Sequence, residues 1–346
     1  DANAGGVILS GAVSTRNDGG VFTGAVRISS RGEVTQSVDG AITADTLGVR
    51  TTSGQINLLT AQNDVNNLAL ATANANVGFR DADGFHLSQV TAQSNTMFDD
   101  SSLFSETNGI TAGAGTVRLT NDGLGTAAGE NDLTQDADFG GVIAASLGIS
   151  FTGGDILMDL VTPGGLAFND VDVLAIFAEE SGAGLGGSIE FSDIDDLTIG
   201  TVSTLDNFTG FSGLDATNNI LVCTGESLTI TEAISTRSTT TATANPTDIV
   251  RLQAGTMISQ TAGGRITTAD LGLIAAGNIN LSVAHNDVDV LAAQGANIQF
   301  LDVDDLAIGS VSADGCFAGV TGVTATNFTL CVGGDFAIGN LINVAQ

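Results

Sequence analysis

The chain has 346 residues, of which 39 are acidic and nine are basic, all of them arginine, so its formal net charge is −30. A surface this acidic repels nucleic acid and anionic lipid, which excludes nucleic acid as a partner. Hydrophobic residues make up 42% of the chain, which is enough to build a core and excludes disorder. No apolar run approaches the roughly 20 residues of a membrane-spanning helix, which excludes a helical membrane span.

The first predicted strands alternate apolar and polar residues with a period of two. The pattern is clearest over 56–58, 77–79 and 85–87, where an apolar residue stands on each side of a polar residue or a glycine. Clusters of Gly, Asn, Asp, Ser and Thr separate these segments, and no stretch shows helical periodicity with caps. The sequence therefore predicts short β-strands joined by turns, and almost no helix.

The same phrases return twice further along the chain. Their order is Asn-Asp-Val, Leu-Ala, an Ile-x-Phe or Val-x-Phe segment, an acidic corner, and then a segment that reads Leu-x-Ile-Gly-x-Val in the second and third copies. The opening asparagine is Asn63, Asn169 or Asn286, so successive copies are 106 and 117 residues apart. This predicts an internal repeat of about 110 residues. The copies span approximately 7–110, 111–220 and 221–346.

A repeat made only of short strands and turns cannot bury its apolar face alone, so it must stack on its neighbours. We therefore expect a parallel β-helix, that is, a β-solenoid, running as one continuous domain over 1–346. The apolar positions favour Ile, Val, Leu, Phe and Ala, which form ladders of like residues when one coil lies on the next. A coil of about 20 residues would give about sixteen coils and, at about 4.8 Å per coil, a rod about 75–80 Å long.

The phrases Asn-Asp-Val with Leu-Ala, Ile/Val-x-Phe-x-Asp-x-Asp and Leu-x-Ile-Gly-x-Val resemble the repeats of filamentous haemagglutinin-like exoproteins and repeat-rich bacterial adhesins. The resemblance covers about 7–345. It implies a right-handed β-helical rod that is secreted or held at the bacterial cell surface, where it contacts other cells or surfaces. It brings no catalytic residues with it.

An acidic corner follows the phenylalanine-containing strand of each copy. Its carboxylates are Asp81 and Asp83 in the first copy, Asp193, Asp195 and Asp196 in the second, and Asp302, Asp304 and Asp305 in the third. Ca²⁺ takes about six to eight oxygen ligands, so these residues are candidate calcium ligands. The alternative is that they cap tight corners between strands and lie in water, because Asp readily hydrogen-bonds its own backbone in turns. The chain has neither a complete EF-hand loop nor a Gly-Gly-x-Gly-x-Asp repeat.

Catalysis by an activated nucleophile needs a base, and the histidines available are His86 and His285. Neither belongs to the repeated framework, so we expect both to face solvent. Some β-helices are polysaccharide lyases or hydrolases, in which paired Asp residues act as acid and base. Such sites need irregular loops and basic residues, whereas here lysine is absent and the Asp pairs recur once per copy. We therefore expect no enzyme, with a glycan-active β-helix as the alternative.

Three cysteines are too few for a disulfide scaffold and lack metal-ligand spacing. Cys316 and Cys331 are 15 residues apart, close to one coil, and are a candidate disulfide; the alternative is two buried free thiols. Cys223 is left unpaired in either case. Asn-Phe-Thr sequons at Asn207 and Asn327 match the glycosylation acceptor pattern.

Stacked strands leave open edges, which must be capped or paired. We expect a structural or adhesive extracellular fibre, whose segments stack end to end or form part of a larger exoprotein. A glycan or cell-surface receptor is the expected partner of an adhesin. A glycan-binding adhesin that is stabilised by calcium is an alternative to the structural fibre. An ice- or surface-binding threonine face is a further alternative, although the dense threonine run at 239–243 lies in a predicted loop.

Overall fold

The computed structural model describes residues 5–15, 24–95, 100–127, 129–159, 169–180, 187–236 and 248–344. Within these residues the chain is all β and contains no helix, which confirms the predicted class. The first strands are β1 Val7–Leu9, β2 Val13–Ser14, β3 Ala25–Ser30, β4 Val34–Gln36, β5 Ile42–Thr51, β6 Ile56–Ala71, β7 Val77–Asp81, β8 Phe85–Leu87, β9 Gln89–Val90, β10 Gln93–Asn95, β11 Asp100–Phe104, β12 Thr107–Asn108 and β13 Ile110–Asn121.

The remaining strands range in length from two residues to 16 residues, the longest lying near the end of the chain. Those in the middle are β14 Leu133–Gln135, β15 Val142–Thr152, β16 Ile156–Met158, β17 Asp170–Glu179, β18 Ile189–Asp193, β19 Leu197–Ile199, β20 Thr201–Val202, β21 Phe211–Ser212, β22 Leu214–Ala216, β23 Ile220–Thr224, β24 Leu228–Ile230 and β25 Ile234–Ser235. Those in the last part are β26 Ile249–Ala254, β27 Ile258–Gln260, β28 Ile266–Ala275, β29 Ile279–Gln294, β30 Asn297–Asp302, β31 Leu306–Ile308, β32 Ser310–Val311, β33 Val320–Thr321, β34 Val323–Ala325, β35 Asn327–Val332, β36 Phe336–Ile338 and β37 Ile342–Val344.

Most of these strands belong to one large parallel sheet. One ladder of parallel pairs runs without a break through β1, β4, β6, β7, β13, β15, β17, β19, β24, β27, β29, β30 and β35. With about 4.8 Å between neighbouring strands, this ladder is roughly 60 Å long. The estimate of about sixteen coils is therefore too high, because long insertions take residues out of the ladder.

The inward side chains of the parallel strands form one continuous hydrophobic core that extends from Val34 to Ala325. In β8, β16, β19, β24 and β31 the first and third residues are apolar and buried while the middle residue is half-buried. This is the period-two alternation predicted from the sequence. Burial of apolar surface at about 25 cal/mol per Å² is the main stabilising contribution in such a core.

Three insertions leave the parallel sheet, and each contains antiparallel strands. Arm 1 (89–108) holds the pairs β9–β12 and β10–β11, arm 2 (201–212) holds β20–β21, and arm 3 (310–321) holds β32–β33. Among the described residues, antiparallel strand pairs occur in these arms and nowhere else. The arms are not apparent in the sequence pattern.

Candidate functional site

Each arm is inserted between two strands that pair with the same long strand. After the arm, pairing resumes two residues further along that long strand. Before arm 2, Leu174 of β17 pairs with Ile199; after arm 2, Ile176 of the same strand pairs with Leu214. The corresponding pairs are Leu68–Leu87 and Leu70–Ile110 around arm 1, and Leu291–Ile308 and Ala293–Val323 around arm 3. The arms therefore project from one ladder without changing its register.

A glycine stands at the point where each arm returns to the sheet. Gly213 has φ of 81°, and a Cβ placed on it would lie 2.0 Å from the carbonyl oxygen of Ala233. Gly109 and Gly322 also have positive φ and equally close neighbours. Only glycine adopts this backbone without strain and without a clash, so the return turn requires it.

A phenylalanine of each arm packs with Cζ of its ring against a glycine on the outer face of the parallel sheet. Phe208 of arm 2 is fully buried, and a Cβ on Gly148 would come within 2.7 Å of its ring. The corresponding pairs are Phe104 with Gly48 and Phe317 with Gly272, each with the same 2.7 Å separation. Val90, Val202 and Val311 complete the packing. A larger residue at these glycines would displace the ring.

An arginine on the neighbouring strand holds each arm by two hydrogen bonds. Arg118 donates from Nε to the carbonyl oxygen of Ser203 at 2.9 Å and from Nη2 to its hydroxyl at 3.0 Å. Arg27 does the same to Thr91 at 3.1 and 3.3 Å, and Arg251 to Ser312 at 3.1 and 3.2 Å. The planar guanidinium suits this two-point contact, which a lysine does not reproduce.

The residues beneath each arm are in register on three successive strands, and we name each set an arm seat. The seats are Arg27–Gly48–Ala69, Arg118–Gly148–Ala175 and Arg251–Gly272–Ala292. Sequence reasoning missed them, although two repeated signals mark them. One is Arg between two apolar residues, as in Val117-Arg118-Leu119, and the other is Gly between two apolar residues, as in Leu147-Gly148-Ile149.

The tip of arm 2 reaches beyond its seat to β6. The side-chain amide of Asn207 donates to the carbonyl oxygens of Leu59 at 2.9 Å and Thr60 at 3.2 Å. Leu59 faces outward and is fully buried beneath the arm, in the same apolar cluster as Phe208. The tip thus covers an apolar side chain and satisfies backbone acceptors on a distant strand.

The tip of arm 3 is attached covalently. Cys316 forms a disulfide with Cys223 of β23, with 6.3 Å between the two Cα atoms, and Cys331 is an exposed free thiol. The predicted Cys316–Cys331 pairing is therefore wrong, as is the prediction that Cys223 is unpaired. The reason is that arm 3 folds back over earlier strands, so the disulfide partner of Cys316 is 93 positions away in sequence.

A buried asparagine ties three successive ladder strands together at one corner. Asn63 accepts hydrogen bonds from the backbone N–H of Ile42 and from Gln36, both at 3.0 Å, and donates to the carbonyls of Leu58 at 3.1 Å and Arg80 at 2.8 Å. Asn286 makes the same four contacts with Ile266, Gln260, Leu281 and Leu301, and Asn169 contacts Val142, Met158 and Ser192. These polar corners are internal structural elements.

The first aspartate of each acidic corner is buried, so the expectation that it lies in water is wrong. Asp193 accepts the backbone N–H of Val171 at 3.0 Å and of Asp195 at 3.2 Å. Asp302 does the same for Val288 and Asp304, and Asp81 accepts from Val65. Burial raises the pKa of Asp193 to about 8 and that of Asp302 to about 7, and it holds the pKa of Asp81 well above its usual value.

The other candidate calcium ligands lie at the surface, where several cap turns. Asp83 is half-buried, whereas Asp195, Asp196, Asp304 and Asp305 are exposed. Asp196 accepts the backbone N–H of Ser227 at 2.8 Å, and Asp305 accepts that of Asp335 at 2.6 Å. In the part of the chain that the structure describes, no group of three or more His, Cys, Asp or Glu side chains is placed to hold a metal ion. The calcium site stays a prediction without support from the geometry.

His86 lines a surface cleft together with the carboxyl groups of Asp64, Asp83, Glu130 and Asp132. Its Nδ1 lies 2.7 Å from the hydroxyl oxygen of Thr134. The Glu130 carboxylate accepts the backbone N–H groups of Thr126 and Ala127, and Asp132 accepts that of Asp155. Two of the four carboxylates in the cleft therefore cap turns. His285 is exposed on the side of β29, as expected.

The two sequons differ in their surroundings. The Asn207 side chain is exposed, and its amide nitrogen donates to two backbone carbonyls of β6. Asn327 is exposed and donates to the side-chain oxygen of Asn297 at 2.6 Å. The threonine run at 239–243 lies outside the described residues.

The last strands of the parallel sheet expose apolar side chains at positions that are buried one strand earlier. Phe336 and Ile338 of β36 are in register with Leu306 and Ile308, which are buried. Phe336 is 42% exposed, Ile338 is 63% exposed, and Leu341 is 74% exposed. A further strand laid on β36 would cover the first two.

Comparison with family models, with curated proteins and with solved structures finds no match for this chain. Among the described residues, no helix has the length and apolar character required to cross a membrane.

Proposed function

We propose that the chain is a right-handed parallel β-solenoid of three stacked repeats that serves as a non-catalytic rod in an extracellular fibre at a bacterial cell surface. The observation that carries this proposal is the unbroken parallel ladder, which ends in strands with exposed apolar side chains. In an elongated stack of this kind each layer contacts only its neighbours, so the rod extends by adding layers.

Extension requires a partner for the last strands. The outer edge of β36 offers backbone donors and acceptors, and Phe336 and Ile338 offer apolar area to the next layer. We propose that this edge pairs with a further solenoid layer, either from a longer chain or from a second copy that stacks end to end. The net charge of −30 opposes lateral association through the sides of the rod.

Two further observations favour an extracellular place. The Cys223–Cys316 disulfide is typical of proteins in oxidising compartments, since cytosolic thiols are kept reduced. The repeated phrases resemble those of filamentous haemagglutinin-like exoproteins, which act at cell surfaces. An adhesive role follows from the same proposal, with a glycan or a cell-surface receptor bound along the rod.

End-to-end stacking is tested by electron microscopy and sedimentation velocity on the purified chain at increasing concentration. We expect rods whose length increases in steps, starting from a unit of roughly 60 Å. Ile338→Asp should reduce stacking, because it places a charge on the strand that the next layer must cover. Val283→Asp adds the same charge on the side of β29, where Val283 is 51% exposed, and should stack as the unmodified chain does. Rods of one fixed length at all concentrations, or equal behaviour of the two variants, would contradict the proposal.

A further inference from the structure

Arm 3 closes over an apolar strip on the outside of the parallel sheet. Phe317 and Val311 of the arm pack with Leu221 of β23 and Ala292 of β29, all nearly or fully buried. Ile249 and Ile274 lie at the margin of the same cluster. Opening the arm would therefore expose a contiguous apolar surface to water.

The arm tip is pressed against a carboxylate. Gly315 has φ of 44°, and a Cβ on it would lie 2.3 Å from Oδ2 of Asp159. Burial raises the pKa of the Asp159 carboxyl above its usual value, and the negative charge of Asp314 in the arm raises it further. The closed arm thus places two carboxylates close together and partly out of water.

A third carboxyl group, Glu190 of β18, faces the same tip. Burial first, and then the charges of Asp159, Asp314 and Asp155 in that order, raise the pKa of Glu190 to about 7. Arg251 is the cation that lowers it, and Arg251 Nη1 lies 3.2 Å from Asp314. Four carboxyl groups lie here beside one guanidinium, so acidic groups outnumber the cation at the arm tip.

We propose that arm 3 is a redox-released latch, in which the Cys223–Cys316 disulfide holds closed an arm tip whose Asp314 is repelled by Asp159 and Glu190. A dithiol reductant supplies the two electrons and two protons that convert the S–S bond into two thiols, and it leaves as its own cyclic disulfide. The arm then opens and uncovers Leu221 and its neighbours.

The closed position of the reduced arm depends on pH. Closing raises the pKa of Glu190 and of Asp159, so the closed form binds protons more tightly than the open form, in which these groups return to ordinary values. Closure is therefore fully favoured below those ordinary values and is lost as the pH rises through about 7. For one proton the ratio of open to closed arm changes up to about tenfold per pH unit within that window.

The test is hydrogen exchange with mass spectrometry on the whole chain, with and without dithiothreitol, at pH 6 and pH 8 after correction for intrinsic exchange rates. At pH 8 reduction should speed exchange in 310–321 by about tenfold or more, and at pH 6 by distinctly less. Arm 2, which has no disulfide, is the internal control and should not change. Glu190→Gln should weaken the pH dependence of the reduced arm.

Two cysteine variants complete the experiment. Cys316→Ser should behave without reductant as the reduced chain does, while Cys331→Ser should leave the response unchanged. The latch is refuted if reduced and oxidised arm 3 exchange equally at both pH values, or if arms 2 and 3 loosen together. The reductant experiment on the unmodified chain decides the matter even where Cys316→Ser fails to fold.

Discussion

Arms 2 and 3 have the same base and different tips. Each base has a seat of Arg, Gly and Ala in register on three strands, and a buried Phe lies on the glycine. At the tip, arm 2 uses the amide of Asn207 and the carboxylate of Asp206, which accepts from Asn57, whereas arm 3 combines carboxylates with a disulfide. The shared base sets the direction of an arm, and the tip decides under which conditions it stays closed.

The disulfide explains why arm 3 tolerates a repulsive tip. A cross-link between residues 93 positions apart removes about 4–5 kcal/mol of chain entropy from the unfolded state in the loop-closure model. Arm 2 depends entirely on packing and hydrogen bonds. The same loss of packing should therefore open arm 2 more readily than oxidised arm 3.

Truncation of the arm phenylalanines should have the largest effect. Phe208→Ala removes a fully buried ring and should cost about 3–5 kcal/mol, which is enough to open arm 2. Phe317→Ala removes the same packing in arm 3, but the disulfide should keep the tip in place. Hydrogen exchange of the arm amides measures both. Equal loss of protection in the two arms would mean that the disulfide does not contribute to closure.

Removal of the clamping arginine should cost somewhat less. Arg118→Met loses both hydrogen bonds to Ser203 and should destabilise arm 2 by about 2–3 kcal/mol. Arg118→Lys should restore only part of this, because an ammonium lacks the planar two-point geometry. In arm 3, Arg251→Met should also raise the pKa of Glu190, because it removes the cation that lowers it. Urea denaturation and a carboxyl titration by NMR would measure these effects, and full rescue by lysine would contradict the assigned geometry.

A methyl group on the seat glycine should have a moderate effect. Gly148→Ala places a Cβ within 2.7 Å of the Phe208 ring and should cost about 1–3 kcal/mol through overpacking. Combination with Phe208→Leu should cost less than the sum of the two changes, since the smaller side chain leaves room for the methyl group. Thermal or urea unfolding of the four chains gives the coupling. Strict additivity would show that the ring does not rest on the glycine.

The smallest effect is expected at the tip of arm 2. Asn207→Ala removes the donors to the carbonyls of Leu59 and Thr60 and should cost about 1 kcal/mol. Asn343→Ala changes an exposed asparagine of β37 and serves as the matched control. Exchange in 201–212 should rise in the first variant alone. A similar rise in both variants would mean that the loss of any exposed asparagine has this effect, and that the contact of Asn207 with β6 does not stabilise the arm.

Much of the architecture followed from local patterns. The alternation at 56–58 or 85–87 predicts a strand with one buried face, because successive side chains point to opposite sides. The recurrence of Asn63, Asn169 and Asn286 marked positions that all proved to be buried corner residues. The sequence did not distinguish a solvated aspartate from a buried one, since Asp193 and Asp195 are the same residue type two positions apart.

The arms show where such reasoning stops. The apolar residues on each side of Gly148 set it apart in the sequence, but its partner Phe208 lies 60 positions away and has no local signal. The distance between Cys316 and Cys331 in sequence favoured the wrong disulfide for the same reason. Contacts between an arm and its seat depend on the path of the chain through several layers, and no local pattern encodes that path.

By itself the sequence determined the all-β class, the period of the strands and the polar residues at the turns, because these depend on neighbours within a few positions. The tertiary structure alone decided which side chains meet outside the sheet: Arg118 with Ser203, Phe208 with Gly148 and Cys223 with Cys316. The physical reason is that stacking of parallel strands brings residues from successive passes of the chain within about 5 Å of one another, whatever their separation in sequence.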